Sequence, residues 1–220
     1  MKNKRIIISI FICSIIILIS TISCVYASSL VKSDKSILAY IDDVSVITTS
    51  TTTKKEYKKI VVEPIGNISD SLINVAYEEL SLIPDNLQDL FVTSSWHLVI
   101  STDNLSKIYF NNKYKSVLGL TDYETSSIIL EAKEKSIRES LVHEMGHFLD
   151  YITGFKTFEN EFINNYYNVE IDEFKSHIKN PGCVRDPQEL FAEEFYYMYK
   201  DSSKCTPLVL NLIQKKLNSI

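Results

Sequence analysis

The spacing of apolar positions changes several times along this chain, and each change predicts an element. Ile60, Val61 and Val62 form a short β-branched run stopped by Pro64 and Gly66, the pattern of a strand. Leu72, Ile73, Ala76, Tyr77 and Leu80 then recur at helical spacing, behind Ser69 or Asp70 as N-cap. Pro84 opens a second short helix carrying Leu87, Leu90 and Phe91, and two strands follow at Trp96–Ile100 and Ser126–Leu130. From about Lys133 to Ile152 the apolar period is that of a long amphipathic helix, with Gly154 placed to end it. A further helical stretch covers about Thr157 to Lys179, with a break near Asn168, before Pro181 and Gly182 interrupt it. Asp186, Pro187 and Glu189 stand as N-cap, first position and third position of a capping box for the next helix. A last helix spans about Pro207 to Leu217. Strands early and helices late predict an α+β domain with a small sheet.

The first 58 residues read differently. Lys2, Lys4 and Arg5 precede an apolar stretch from Ile6 to about Val25, and Val25-Tyr26-Ala27 suits signal-peptidase cleavage. Residues 1–27 are thus expected to be a signal peptide and the protein to be secreted. The alternative is a retained membrane anchor at the cell surface, because the stretch is long enough to span a bilayer. Thr21-Ile22-Ser23-Cys24 loosely resembles a lipobox, a minor third reading. Residues 28–58, with a Thr/Ser run from Thr48 to Thr53, read as a leader or linker. The folded domain is expected over residues 59–220.

Composition narrows the function classes. The net charge of −5 becomes −8 once residues 1–27, with three basic and no acidic residues, are set aside. That charge disfavours backbone-driven nucleic-acid binding. Five glycines leave no room for glycine-dense phosphate loops. Of four cysteines only Cys183 and Cys205 remain in the domain. They flank a helix of roughly 20 Å, and a bridge needs Cα atoms within about 7 Å, so the spacing disfavours a disulfide.

His143-Glu144-Met145-Gly146-His147 is an H-E-x-x-H motif in the middle of the long helix. Residues four apart share a helix face, so both imidazoles can meet one Zn²⁺ while Glu144 serves as general base and acid. Gly146 would let another element approach that helix closely. A catalytic zinc needs a third protein ligand. His97, in a strand, and His177, in a charged helix, suit ordinary structural or surface roles better. The helix from Pro187 offers Glu189, Glu193 and Glu194. Glu189 has the capping role. Glu194 falls among Leu190, Phe191 and Met198, and Glu193 at the edge of that arc beside Tyr197, which leaves those two open on spacing alone. Asp150 could accept the outer N–H of a ligand histidine or cap nearby structure.

Four stretches carry a resemblance to the anthrax lethal factor-type zinc metallopeptidases, and among them to small secreted Pro-Pro endopeptidases. They are Ile60 to Asn67, Leu141 to Tyr151, Glu189 to Phe195 and Cys205 to Leu217. The resemblance implies a zincin-like α+β domain with a small mixed sheet and an active-site helix. It implies a monomeric gluzincin holding one zinc ion through His143, His147 and Glu193. It also implies a protein or peptide substrate lying as an extra strand along a sheet edge, here the Ser126–Leu130 segment, and contact with a membrane only if the N-terminal segment is retained. One departure stands out. The family is expected to carry an oxyanion-stabilising tyrosine shortly before the third-ligand helix, and Asp186 occupies that stretch here; Tyr123, Tyr166 and Tyr167 are the candidate substitutes. The expected function is a secreted zinc endopeptidase. The alternative is a catalytically weak or inactive secreted binding or toxin-associated protein on the same fold.

Overall fold

The structure, a computed structural model, describes residues 59–220; the signal-like segment and the leader lie outside the described residues. Strand β1 (Val62–Ile65) leads into helices α1 (Asp70–Leu80) and α2 (Asp85–Thr93). Strand β2 (His97–Ser101), helix α3 (Leu105–Phe110) and the hairpin of β3 (Gly119–Asp122) and β4 (Ser127–Glu131) follow. The long helix α4 covers Glu134–Ile152. After it come a short helical turn α5 (Asn160–Phe162), a π-turn (Ile163–Tyr167), α6 (Asn168–His177), α7 (Pro187–Lys200) and α8 (Pro207–Leu217). The α+β expectation holds, with a mixed four-stranded sheet. No helix among the described residues is long and apolar enough to cross a membrane.

The sheet order is β1-β2-β4-β3, with β1, β2 and β4 parallel and β3 antiparallel to β4. Two expectations fail here. Pro64 lies inside β1 rather than ending it, because β1 is an edge strand bonded only to β2, where a missing N–H costs no ladder bond. The Ser126–Leu130 segment, expected at the edge, is an interior strand. The edge on that side is β3, whose Gly, Thr and Asp give no strand signal.

Alternation along the strands serves two cores. Leu98, Ile100, Ile128 and Leu130 face the main core with α1, α4 and α7, while Val99 and Ile129 join Leu105 beneath Val117 and Leu120 on the opposite face. Gly154, at φ +87°, turns the chain out of α4 as its position predicts, and the Phe155 N–H returns to the Asp150 carbonyl at 2.8 Å. The break foreseen near Asn168 is the π-turn that ends at Tyr167. Cys183 and Cys205 are both free thiols.

Two contacts lock the helices. At Gly146 a Cβ would stand 2.9 Å from Ala192 Cα and 3.0 Å from Phe195 Cβ, so only glycine lets α4 and α7 touch at this depth. Beneath α8, the buried Thr206 hydroxyl meets Glu170 Oε2 at 2.7 Å and also Glu194 Oε1. A hydroxyl has one proton, so one of these contacts needs a proton on a carboxyl group. Burial pushes the Glu194 carboxyl up to about 7 despite the hydrogen bonds from Thr206, so Glu194 holds that proton below about pH 7.

Replacing Gly146 with alanine should cost about 1–3 kcal/mol of stability through overpacking, read as a lower urea midpoint; an unchanged midpoint would refute the contact. A carboxyl whose pKa rises on folding weakens the fold as it ionises. Stability should therefore decline as pH rises from the ordinary 4.5 to about 7. Glu194→Gln should flatten that decline in melting temperatures taken across the range, and equal slopes in both proteins would contradict it.

Candidate metal centre

Helix α4 presents His143 and His147 one turn apart, with ring centroids 4.9 Å apart. Helix α7 crosses at Gly146 and lays its first turns beside them. Asp186 caps α7 by accepting from the N–H groups of Gln188 and Glu189 at 3.0 and 3.1 Å. The reciprocal half of the expected capping box does not form. The Glu189 carboxylate instead turns to His143 Nε2, 3.5 Å away, and to Arg185 at 3.3 Å.

The donor atoms of His143, His147 and Glu189 all lie within 4.8 Å of one another. This group differs from the expected set in its third member, with Glu189 in the place given to Glu193. Asp186 caps the first turn of α7, while the Glu189 carboxylate turns to His143 and Arg185 instead of back to the Asp186 N–H. Glu193, one turn on, stands with Oε1 3.4 Å from His143 Nδ1, a buried ring nitrogen without a hydrogen bond of good geometry. Glu194 points away, into the Thr206 contact. Two imidazoles and a carboxylate converging beside an open cleft fit a divalent cation, zinc above all by donor type.

The carboxylates and imidazoles of the group shift one another strongly. Burial pulls the His147 pKa down to about 3, with the neighbouring His143 adding to the shift, so its ring is neutral. Burial also pulls on His143, but Glu189 and Glu193 outweigh it and hold its pKa well above the ordinary range. For Glu189 burial opposes ionisation, yet His143, His147 and Arg185 bring it down to about 2. Glu144 is raised by burial; its Oε2 accepts from Thr121 Oγ1 at 2.7 Å.

These groups line a cleft of about 680 Å³ between β3 and α7. Of the three tyrosines considered, Tyr123 lines it, Tyr166 lines a different hollow against α8, and Tyr167 lines neither. Burial, then the charges of Glu144, Asp150 and Glu189, hold the Tyr123 phenol well above its ordinary pKa, so it remains a proton donor. His97 pairs with Glu63 at 2.7 Å and His177 with the Lys204 carbonyl at 3.1 Å, both exposed and outside the centre. Sequence reasoning passed over Gly119, Thr121, Arg185 and Gln188. Their only signal is Gly119 and Thr121 two apart on a strand the apolar pattern did not reveal.

Asp150 does not reach a histidine ring. Its carboxylate accepts from Thr157 Oγ1 at 2.5 Å and Thr157 N–H at 3.3 Å and lies 4.0 Å from the buried Lys216 ammonium, which makes it an anchor for the turn after α4. Asp150→Ala should cost about 3 kcal/mol, because Thr157 loses its acceptor and Lys216 its counter-charge. Zinc stoichiometry, measured in the folded variant, should stay unchanged; loss of zinc without loss of stability would reverse that assignment.

No protein-family profile matches this chain, and a comparison with curated protein sequences finds no match. Among solved structures, the chain is similar to a Pro-Pro endopeptidase, PPEP-2, from Paenibacillus alvei. The TM-score is 0.50 and the identity 19%, over 71% of this chain and 96% of that one. At that identity the likeness establishes a shared fold.

Proposed function

We propose that this protein is a secreted zinc-dependent endopeptidase. The observation that carries the reading is the convergence of His143, His147 and Glu189 beside an open cleft, with the Glu144 carboxylate on the same helix. In this reading His143, His147 and Glu189 hold the metal, and Glu193 orients His143 from behind through Nδ1. When bound, the zinc supplies an acidified water and polarises the scissile carbonyl. Glu144 takes a proton from the attacking water and returns it to the leaving amine nitrogen. Tyr123, protonated and near both Glu144 and Glu189, is the donor best placed for the developing oxyanion. The fold shared with an endopeptidase supports this reading, and so does the N-terminal segment with its signal-peptide pattern.

The absent tyrosine before α7 favours a second reading. Among the described residues, 178–186 contain no phenol; in this reading the fold serves a secreted binding protein with weak or no catalysis. Full-length protein, zinc-loaded and incubated with a broad peptide library, separates the two. Cleavage that Glu144→Gln reduces by about 10²–10⁴-fold is the expected result, and no cleavage despite bound zinc would overturn the peptidase reading. In the same series Glu189→Gln should lose zinc while Glu193→Gln retains most of it. The reverse pattern would restore Glu193 as the third ligand.

A further inference from the structure

The inner face of β3 makes two contacts with Glu144 that spacing and motif do not foretell. Gly119 and Thr121 pair with Leu130 and Ile128, and those partners lie in the main core. The pleat therefore turns both toward α4, while Leu120 faces the small opposite core. Thr121 Oγ1 donates to Glu144 Oε2 at 2.7 Å and lies 3.3 Å from the Glu144 carbonyl. At Gly119 a Cβ would stand 2.8 Å from Leu130 Cδ2, 2.9 Å from Ser140 Cβ and 3.3 Å from Glu144 Oε1. One residue thus leaves room for one carboxylate oxygen, and the other fixes its twin. Among the described residues no other side chain hydrogen-bonds the Glu144 carboxylate.

We propose that Thr121 is a positioning residue, whose hydroxyl sets the rotation of the Glu144 carboxylate in the space left by Gly119. The inference rests on the peptidase reading for its consequence in rate. The terminal torsion of a glutamate is broad and nearly free. A carboxylate that must meet both a water and a leaving nitrogen therefore needs an outside constraint. A misplacement of about 1 Å can cost on the order of 10²-fold. Thr121 stands on the edge strand beside the cleft, so anything that displaces β3 also turns the base.

The test compares Thr121→Val, which keeps the shape and removes the donor, with Thr121→Ser, which keeps the donor. In zinc-loaded full-length protein, Thr121→Val should lower kcat by about 30–100-fold, with KM within about threefold and zinc content unchanged. Thr121→Ser should recover to within about threefold of wild type. A crystal structure of the valine variant should show the Glu144 carboxylate rotated away, and that of the serine variant should show it in place. Unchanged kcat in Thr121→Val, an equal loss in Thr121→Ser, or a loss confined to KM would overturn the proposal. Thr121→Ala carries the same comparison should valine fail to fold. A wild type that cleaves nothing would sink the peptidase reading alone. The two carboxylate orientations would still decide the role of Thr121.

Discussion

The architecture depends on the crossing of α4 and α7 at a single missing side chain. Gly146 lies between the two histidines of the motif, and Ala192 packs onto it from the other helix. That contact sets the depth at which α7 sits, and therefore how far the Glu189 carboxylate reaches toward the imidazoles. A helix interior pays roughly 0.5–1 kcal/mol for glycine in place of alanine, and here the cost is offset by close packing of two otherwise apolar faces. The rest of the centre is arranged around this crossing. Asp186 holds the first turn of α7, and the salt bridges of Glu79 with Arg138 and Lys200 tie α1 to both helices.

The cleft concentrates negative charge on a small cationic demand. Glu144, Glu189 and Glu193 surround His143, and Arg185 is a nearby guanidinium ion-paired with Glu189. Such a cluster is costly for a buried region unless a proton or a cation is shared within it. The same logic repeats beneath α8, where Glu170 and Glu194 meet over one hydroxyl, with neither in an ion pair among the described residues. There the compensation is a retained proton. The two acidic clusters on opposite sides of α7 are thus resolved by different chemistry. The one open to the cleft has imidazoles, and the closed one has the Thr206 hydroxyl and backbone N–H groups of Thr206, Leu208 and Val209.

Much of this was legible in the sequence because it rests on periodicity. The long helix, its Gly154 exit, the proline-led starts of α7 and α8 and the role of Gly146 all follow from local rules that tertiary packing did not override. The direction of the Glu189 side chain is not legible, for the opposite reason. A capping box is a local pattern, but whether its acidic member reaches back or outward depends on an element forty residues away. Strand β3 escaped because Gly119, Leu120, Thr121 and Asp122 have no apolar alternation of their own; they become a strand only by pairing with β4. The spacing of Asp150 from His147 left two roles open, a histidine partner or a cap for nearby structure, and the turn bearing Thr157 decides for the second.

The short edge strand has a further consequence. With four residues and one neighbour, β3 offers an incoming extended chain only about two to four main-chain hydrogen bonds. That is too little to hold a second copy of the protein edge to edge, so the exposed edge carries a low aggregation hazard. It is also too little to distinguish one extended chain from another. Tyr114 and Arg185, stacked on each other in the same cleft and outside the sheet, are by contrast free to change without disturbing it.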